Sequence, residues 1–235
     1  KYLGATSESI YPYLRDLLIE FFDPKKEYRD CILYSFIGAG KSFFSVISTL
    51  FVTTHLILMK NPKKFFNLSP TTLLTQAYFS FTIDKADELL LKPTKLLLEA
   101  SPMFESCKMS EQVAKKTKDA GTEKFFYTTA DSTASLIFSN GANIKIGSSP
   151  SNLLGNQILT GVLSELAFCT DFNIPEERAM RLLNDLKGRM NSRFKGNYFQ
   201  RSIIDSSPNT MESKIDQYIN NVAPFEKRKQ LIFKG

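Results

Sequence analysis

The sequence predicts an α/β domain, a mainly parallel sheet with helices on both faces and an added antiparallel hairpin. Three observations predict it. Apolar, β-rich runs alternate with helix-patterned segments through most of the 235 residues, as they do when crossover helices cover a parallel sheet. Gly40-Lys41-Ser42 stands between a strand-like run and a long apolar run, the strand–loop–helix context of a phosphate-binding loop. Asn140-Gly141 separates two short β-rich runs, the strongest local hairpin signal. With 43% hydrophobic and 23% charged residues, the chain can bury a sizeable core, and residues 1–235 read most simply as one domain with 1–30 as a helical lead-in.

The elements follow in order. Leu14, Leu17, Leu18 and Phe21 fall at helical spacing between Tyr11 and Phe22, and a charged turn covers Asp23 to Asp30. Cys31 to Gly38 reads as a buried parallel strand. From Phe43 to Met59 the only titratable residue is His55. That length borders on a membrane span, but the Ser and Thr content and the Lys41-Ser42 pair just before it favour a core helix. Asn61-Pro62-Lys63-Lys64 breaks the pattern, and Thr72 to Phe79 is a second strand. A helix from Ile83 to Ala100 takes Thr82 as N-cap and should kink at Pro93. Cys107 to Gly121 is lysine-rich and polar, an exposed loop or short helix. Ser135–Phe138 and Asn143–Ile146 form the hairpin, and Ile158–Leu163 a further strand. A helix runs from Pro175 to about Arg193, a strand covers Asn197–Asp205, and a last helix covers Glu212–Asn221. Leu231 to Gly235 begins another strand.

Chemistry concentrates at three strand ends. In the pattern G-x-x-x-x-G-K-[ST], amides and a helix N-terminus cradle phosphates. Gly40, Lys41 and Ser42 fit it, Gly38 and Ala39 complete the turn, and Ser35 stands where the first glycine is usual. In this reading Lys41 neutralises β- and γ-phosphate charge and the Ser42 hydroxyl ligates Mg²⁺. The strand ending at Ser164-Glu165 offers Glu165 as general base and second metal-site residue. Ser164 occupies the place where a metal-supporting aspartate is usual. Ser206-Ser207-Pro208-Asn209 is either a simple turn or a set of short polar side chains able to sense a γ-phosphate.

In this order and spacing, SFIGAGKS (35–42), LLGNQILTGVLSELAF (153–168) and IIDSSPN (203–209) resemble the ATPase domain of a tailed-bacteriophage large terminase. The resemblance implies a RecA-like P-loop NTPase sheet that uses ATP and Mg²⁺. It makes Lys41 and Glu165 the catalytic residues, and Ser206, Ser207 and Asn209 the coupling residues. It further implies double-stranded DNA, a portal protein and a small terminase subunit as partners, assembly as a homo-oligomeric ring, action in the cytoplasm of an infected host, and no membrane. The nuclease domain usual in that family finds no room in these 235 residues. Many such motors place an arginine, from the same or a neighbouring subunit, at the transferred phosphoryl. Gly155 has no arginine beside it, which leaves Arg189 and Arg193, on the helix after Glu165, as candidates.

Other features are less specific. The net charge of +6 suits a polyanionic partner, and Lys63-Lys64, Lys115-Lys116-Lys118, Lys187-Arg189-Arg193-Lys195 and Lys227-Arg228-Lys229 are candidate phosphate contacts. Cys31, Cys107 and Cys169 form no disulfide framework and suit a reducing compartment. The 20 Phe and 9 Tyr sit mostly in apolar runs, as core residues do. Two other functions remain open at this level: another P-loop helicase or translocase, and a nucleotide-binding module that does not hydrolyse.

Overall fold

The computed structural model describes residues 10–59, 61–102, 104, 127–129, 135–153, 155–165, 167–168, 175–208, 214–225 and 229–234. Among the described residues eight strands form one sheet: β1 (Asp30–Tyr34), β2 (Leu74–Phe79), β3 (Tyr127–Thr129), β4 (Ser135–Phe138), β5 (Ala142–Gly147), β6 (Gln157–Ser164), β7 (Arg201–Ser206) and β8 (Gln230–Lys234). Their order across the sheet is β3-β4-β5-β2-β6-β7-β1-β8. The pairs from β5 through β8 are parallel, and β3-β4 and β4-β5 are antiparallel. The expected hairpin, β4-β5, therefore stands beside the edge strand β3, with Gly141 at φ +85° in its turn, a conformation Gly adopts without strain. The consecutive parallel strands β6 and β7 are connected through a helix, Glu176–Phe194, because parallel strands cannot be joined by a tight turn.

Alternation along the strands sorts the core into two layers. Cys31 and Leu33 of β1, Ile203 of β7 and Val162 of β6 face one layer. Ile32, Ile204 and Leu163 face the other. The first layer packs under α1 (Pro12–Phe21) and α2 (Lys41–Leu58). Apolar enough to span a membrane by composition, α2 is instead buried here along Phe44, Val46, Leu50, Val52 and Leu56. Three of its threonines are satisfied locally: the hydroxyls of Thr49, Thr53 and Thr54 donate to carbonyls one turn back. The second layer lies under α6 (Glu176–Phe194) and α7 (Lys214–Gln217). At Gly161 a Cβ would come within 2.6 Å of the Leu186 side chain, so the missing side chain lets α6 approach β6.

Several elements differ from expectation. The strand assigned to the run through Gly38 ends at Tyr34, with one further ladder bond from Ser35 N–H to Ser206 O, and the residues after Ser35 form the loop. Asn61 does not merely break a helix: it caps α3 (Pro62–Phe65), its Oδ1 accepting from Lys64 N–H at 3.0 Å. The helix from Ile83 comprises α4 (Ile83–Ala86), a π-turn (Asp87–Leu91) and α5 (Lys92–Ala100), with Thr82 capping through Lys85 N–H. Pro93 stands two residues past the widened turn, and π-turns are one way a helix absorbs such an irregularity. Residues Asn197–Gln200 form a turn stabilised by the Asn197 side chain, so β7 begins later than predicted. The last helix gives way to a π-turn at Tyr218. The lysine-rich stretch from Cys107 to Gly121 lies outside the described residues, as do Cys169, Asn209, Lys227 and Arg228.

Candidate nucleotide site

Because β7 lies between β1 and β6, three adjacent strand ends open at one edge of the sheet. β1 delivers the loop 35–40, β6 delivers Glu165, and β7 delivers Ser206 and Ser207. Crevices at the carboxyl ends of parallel strands are where α/β folds hold ligands.

The loop turns at Gly38 (φ +89°) and Gly40 (φ +79°), both left-handed conformations that glycine tolerates. Gly40 is doubly constrained, since a Cβ there would lie 2.6 Å from Leu14 Cδ1. Ser35 carries no positive φ and instead prolongs β1, its N–H donating to Ser206 O at 3.3 Å. The first position of the motif therefore needs no glycine in this chain. Phe36 and Ile37 stand 63% and 77% exposed at the loop crest. Beside the loop, Tyr13 donates its hydroxyl to Ala39 O, and the rings of Tyr11, Tyr13 and Phe233 stack in series at 5.9 and 5.5 Å.

Lys41 is 5% exposed, and its ammonium uses all three protons. Nζ donates to Ser35 O at 3.0 Å, Phe36 O at 2.9 Å and Ser207 Oγ at 2.8 Å, and Glu165 Oε1 lies 3.7 Å away. Glu165 adopts φ +53°, which costs an L-residue about 1–2 kcal/mol. The twist turns its carboxylate toward β7, where Oε2 accepts Ser207 N–H at 3.0 Å and Oε1 accepts the Ser207 hydroxyl at 3.2 Å. Ser207 thus bridges the two predicted catalytic residues. Its neighbour Ser206 is buried, and its Oγ accepts Ala167 N–H at 3.3 Å.

Beneath them lies a group that sequence reasoning passed over. Asp205 is fully buried and stands in register with Ser164 on the neighbouring strand. Ser164 donates its hydroxyl to Asp205 Oδ1, and Ser45 of α2 donates to Oδ2. Burial, with the nearby Glu165 charge, pushes the Asp205 carboxyl up to about 6, against the two hydroxyls and Lys41, which pull it down. The one sequence signal was a lone charge ending the apolar run Ile203-Ile204.

Ser42 sits half-buried in the first turn of α2. The Ser42 hydroxyl and the Glu165 carboxylate offer oxygen donors only, which suits a hard divalent cation carried mainly by phosphate and water, and the Asp205 carboxylate lies behind Ser164 and Ser45. Among the described residues no three His, Cys, Asp or Glu side chains cluster. The arrangement therefore fits a metal that arrives with a nucleotide.

The arginine candidates do not join this constellation. α6 runs back down the sheet, so its last turns lie at the opposite edge. There Asn191 accepts from Gln200 Nε2 and Phe194 packs on Phe66 at 5.4 Å. Arg189 and Arg193 belong to the same turns and do not reach Lys41 within the chain. Nor is their cluster one phosphate-tracking surface, because Lys187 is drawn inward to the Tyr218 hydroxyl at 2.5 Å and Asp30 at 3.8 Å. Lys63 and Lys64 line an open cleft of about 580 Å³ with Asn67 and Asn140, also remote from Lys41. Arg178, at the start of α6, donates to Ser148 O at 2.9 Å.

No family model matches this chain, nor does any curated protein. Solved structures do. The large terminase of bacteriophage HK97 superposes with a TM-score of 0.61 at 10% identity, over 96% of this chain and 39% of that one. The large terminase of a thermophilic bacteriophage in complex with ATP-γ-S gives 0.57 at 11% identity, over 94% of this chain and 43% of that one. The isolated ATPase domain of the Thermus phage P74-26 large terminase, as a point mutant, gives 0.57 at 12% identity, over 100% of this chain and 83% of that one. The chain thus spans less than half the length of the first two. Its fold is that of a P-loop NTPase, in the form found in the ATPase domains of phage large terminases.

Proposed function

We propose that this chain is the ATP-hydrolysing motor domain of a viral DNA-packaging terminase. The observation that carries this reading is the meeting of Lys41, Ser207 and Glu165 from three adjacent strand ends, within 3.7 Å of one another. The likeness to terminase ATPase domains supports it.

Lys41 exchanges its loop carbonyls for β- and γ-phosphate oxygens, and the amides from Gly38 to Ser42 close around the phosphates. Ser42 and Glu165 would hold a nucleotide-borne Mg²⁺, which would supply positive charge against the developing charge of the phosphoryl oxygens. Glu165 orients the attacking water and accepts its proton. The exposed ring of Tyr11, continued by Tyr13 and Phe233, offers the base a stacking ledge beside the loop. Ser206, Ser207 and Asn209 pass γ-phosphate loss to the segment after β7. Double-stranded DNA is the moved substrate, with a portal protein and a small terminase subunit as partners, in a homo-oligomeric ring in the cytoplasm of an infected host. Arg189 and Arg193, at the far end of α6, would act on the site of a neighbouring subunit.

Phosphate release from ATP, measured on the purified chain with and without double-stranded DNA, tests this. Turnover that depends on Mg²⁺ and is lost in Lys41→Ala and Glu165→Gln is expected. Turnover indifferent to both substitutions overturns the motor reading. Tight nucleotide binding without turnover, even with DNA and portal, would replace it with a non-hydrolysing module.

A further inference from the structure

The site departs from the usual acidic strand end at Ser164, and the structure offers a reason the departure is tolerated. Ser164 and Asp205 are partners in the parallel β6-β7 ladder. Side chains paired in this way leave the same face of a sheet with their strands about 4.8 Å apart. The carboxylate absent at 164 therefore stands one strand over. It is not idle there: its two oxygens accept the hydroxyls of Ser164 and of Ser45. Ser45 lies one turn after Ser42 on α2, on the same helical face.

We infer that Asp205 is the displaced acidic residue of this site, a positioning residue that supports the nucleotide-borne cation through the hydroxyls of Ser164 and Ser45. The inference rests on the nucleotide-hydrolase reading above. Asp205 is fully buried and both its oxygens are occupied, so it serves in the outer sphere. By accepting the hydrogen bond of each hydroxyl, it leaves their oxygen lone pairs as acceptors for metal-bound water. Outer partners of this kind fix the orientation of the groups that hold a metal. The arrangement also ties β6, β7 and the first turns of α2 to one carboxylate, so the base, the sensor strand and the phosphate-loop helix share a support.

The test is nucleotide binding rather than turnover. A fluorescent ADP analogue is titrated into the whole chain in EDTA and then across a Mg²⁺ series, with Mn²⁺ bound per ADP counted by EPR. Wild type should bind without metal and bind more tightly with it. Asp205→Asn should keep its metal-free affinity within about twofold and need about 10- to 100-fold more Mg²⁺ for half-saturation. The exchange variant Ser164→Asp/Asp205→Ser, which returns the carboxylate to β6, should recover the wild-type Mg²⁺ requirement to within about threefold. It also serves if Asp205→Asn fails to fold. A wild type that binds no nucleotide in either condition overturns the hydrolase reading and this inference together. Wild-type binding with an unchanged Mg²⁺ requirement in Asp205→Asn, or an exchange variant that folds but stays weak, overturns this inference alone.

Discussion

β7 holds a buried charge at each end, and the two are housed in opposite ways. At its start, Arg201 is fully buried with its guanidinium over the rings of Tyr198, Phe21 and Phe22 at 4.8, 5.1 and 5.3 Å. None of its three nitrogens makes a hydrogen bond among the described residues. Burial and the neighbouring Arg29 pull its pKa down to about 10, so it stays charged at neutral pH. At the other end, Asp205 is equally buried, but both its oxygens accept hydroxyls and Lys41 and Glu165 lie close by. Aromatic faces can hold a cation by packing and ring electrostatics alone, while a carboxylate needs donors. The first end joins α1 to the sheet. The second is built from groups with protons to rearrange, as chemistry requires.

If that contrast is right, substitutions at the two ends separate turnover from stability. The largest effect belongs to the chemical end: Glu165→Gln should lower ATP turnover by about 10²–10⁴-fold while nucleotide affinity, read by fluorescence, is retained. Arg201→Ala should do the reverse. It removes the packing of the guanidinium and its stem, and urea unfolding should show a loss of about 3 kcal/mol, with turnover per folded molecule unchanged. Arg201→Met, which keeps the bulk and drops the buried charge, should be as stable as wild type or more so.

The carboxylate gives a pH test of similar size. Asp205 titrates near 3.8 when unfolded and near 6 when folded. The unfolded chain therefore loses this proton first as pH rises. The stabilising contribution is complete below about pH 4 and gone above about pH 6, about 3 kcal/mol in all. Unfolding midpoints of wild type should fall across that window by more than those of Asp205→Asn. Equal slopes would mean that the carboxyl is not held in its folded environment. The smallest effect is expected beside the loop. Tyr11→Ala should weaken nucleotide binding by about 1 kcal/mol, the low end for a stacked base. The test is whether inorganic triphosphate, which has no base, binds Tyr11→Ala and wild type alike.

Much of this was legible in the residues. Gly40-Lys41-Ser42 and its flanks announced a loop between a strand and a helix, Asn140-Gly141 its hairpin, and Thr82 its cap, because each depends on local geometry. What depends on strand order was not legible. Asp205 reads as the end of an apolar run until β7 is known to lie against β6, and only then does it face Ser164. The same gap left open where Arg189 and Arg193 lie relative to the loop. Position along α6 is visible in the sequence, but the antiparallel return of the helix, which carries its last turns away from the loop, is a property of the packed fold. Ser35 shows a further limit. A motif records which residues usually suffice, whereas this backbone extends β1 by one residue and makes no demand for glycine there.

The bridge at Ser207 has one more implication. A hydroxyl has a single proton, and here it points to Glu165 while its oxygen receives Lys41. If a phosphate oxygen claims that proton, Glu165 loses this hydrogen bond, although it keeps the one from the Ser207 backbone. Ser207 therefore works as an interlock: its hydroxyl can hold the base or greet the phosphate, one at a time. The order of events at the site is then written into the valence of one oxygen atom.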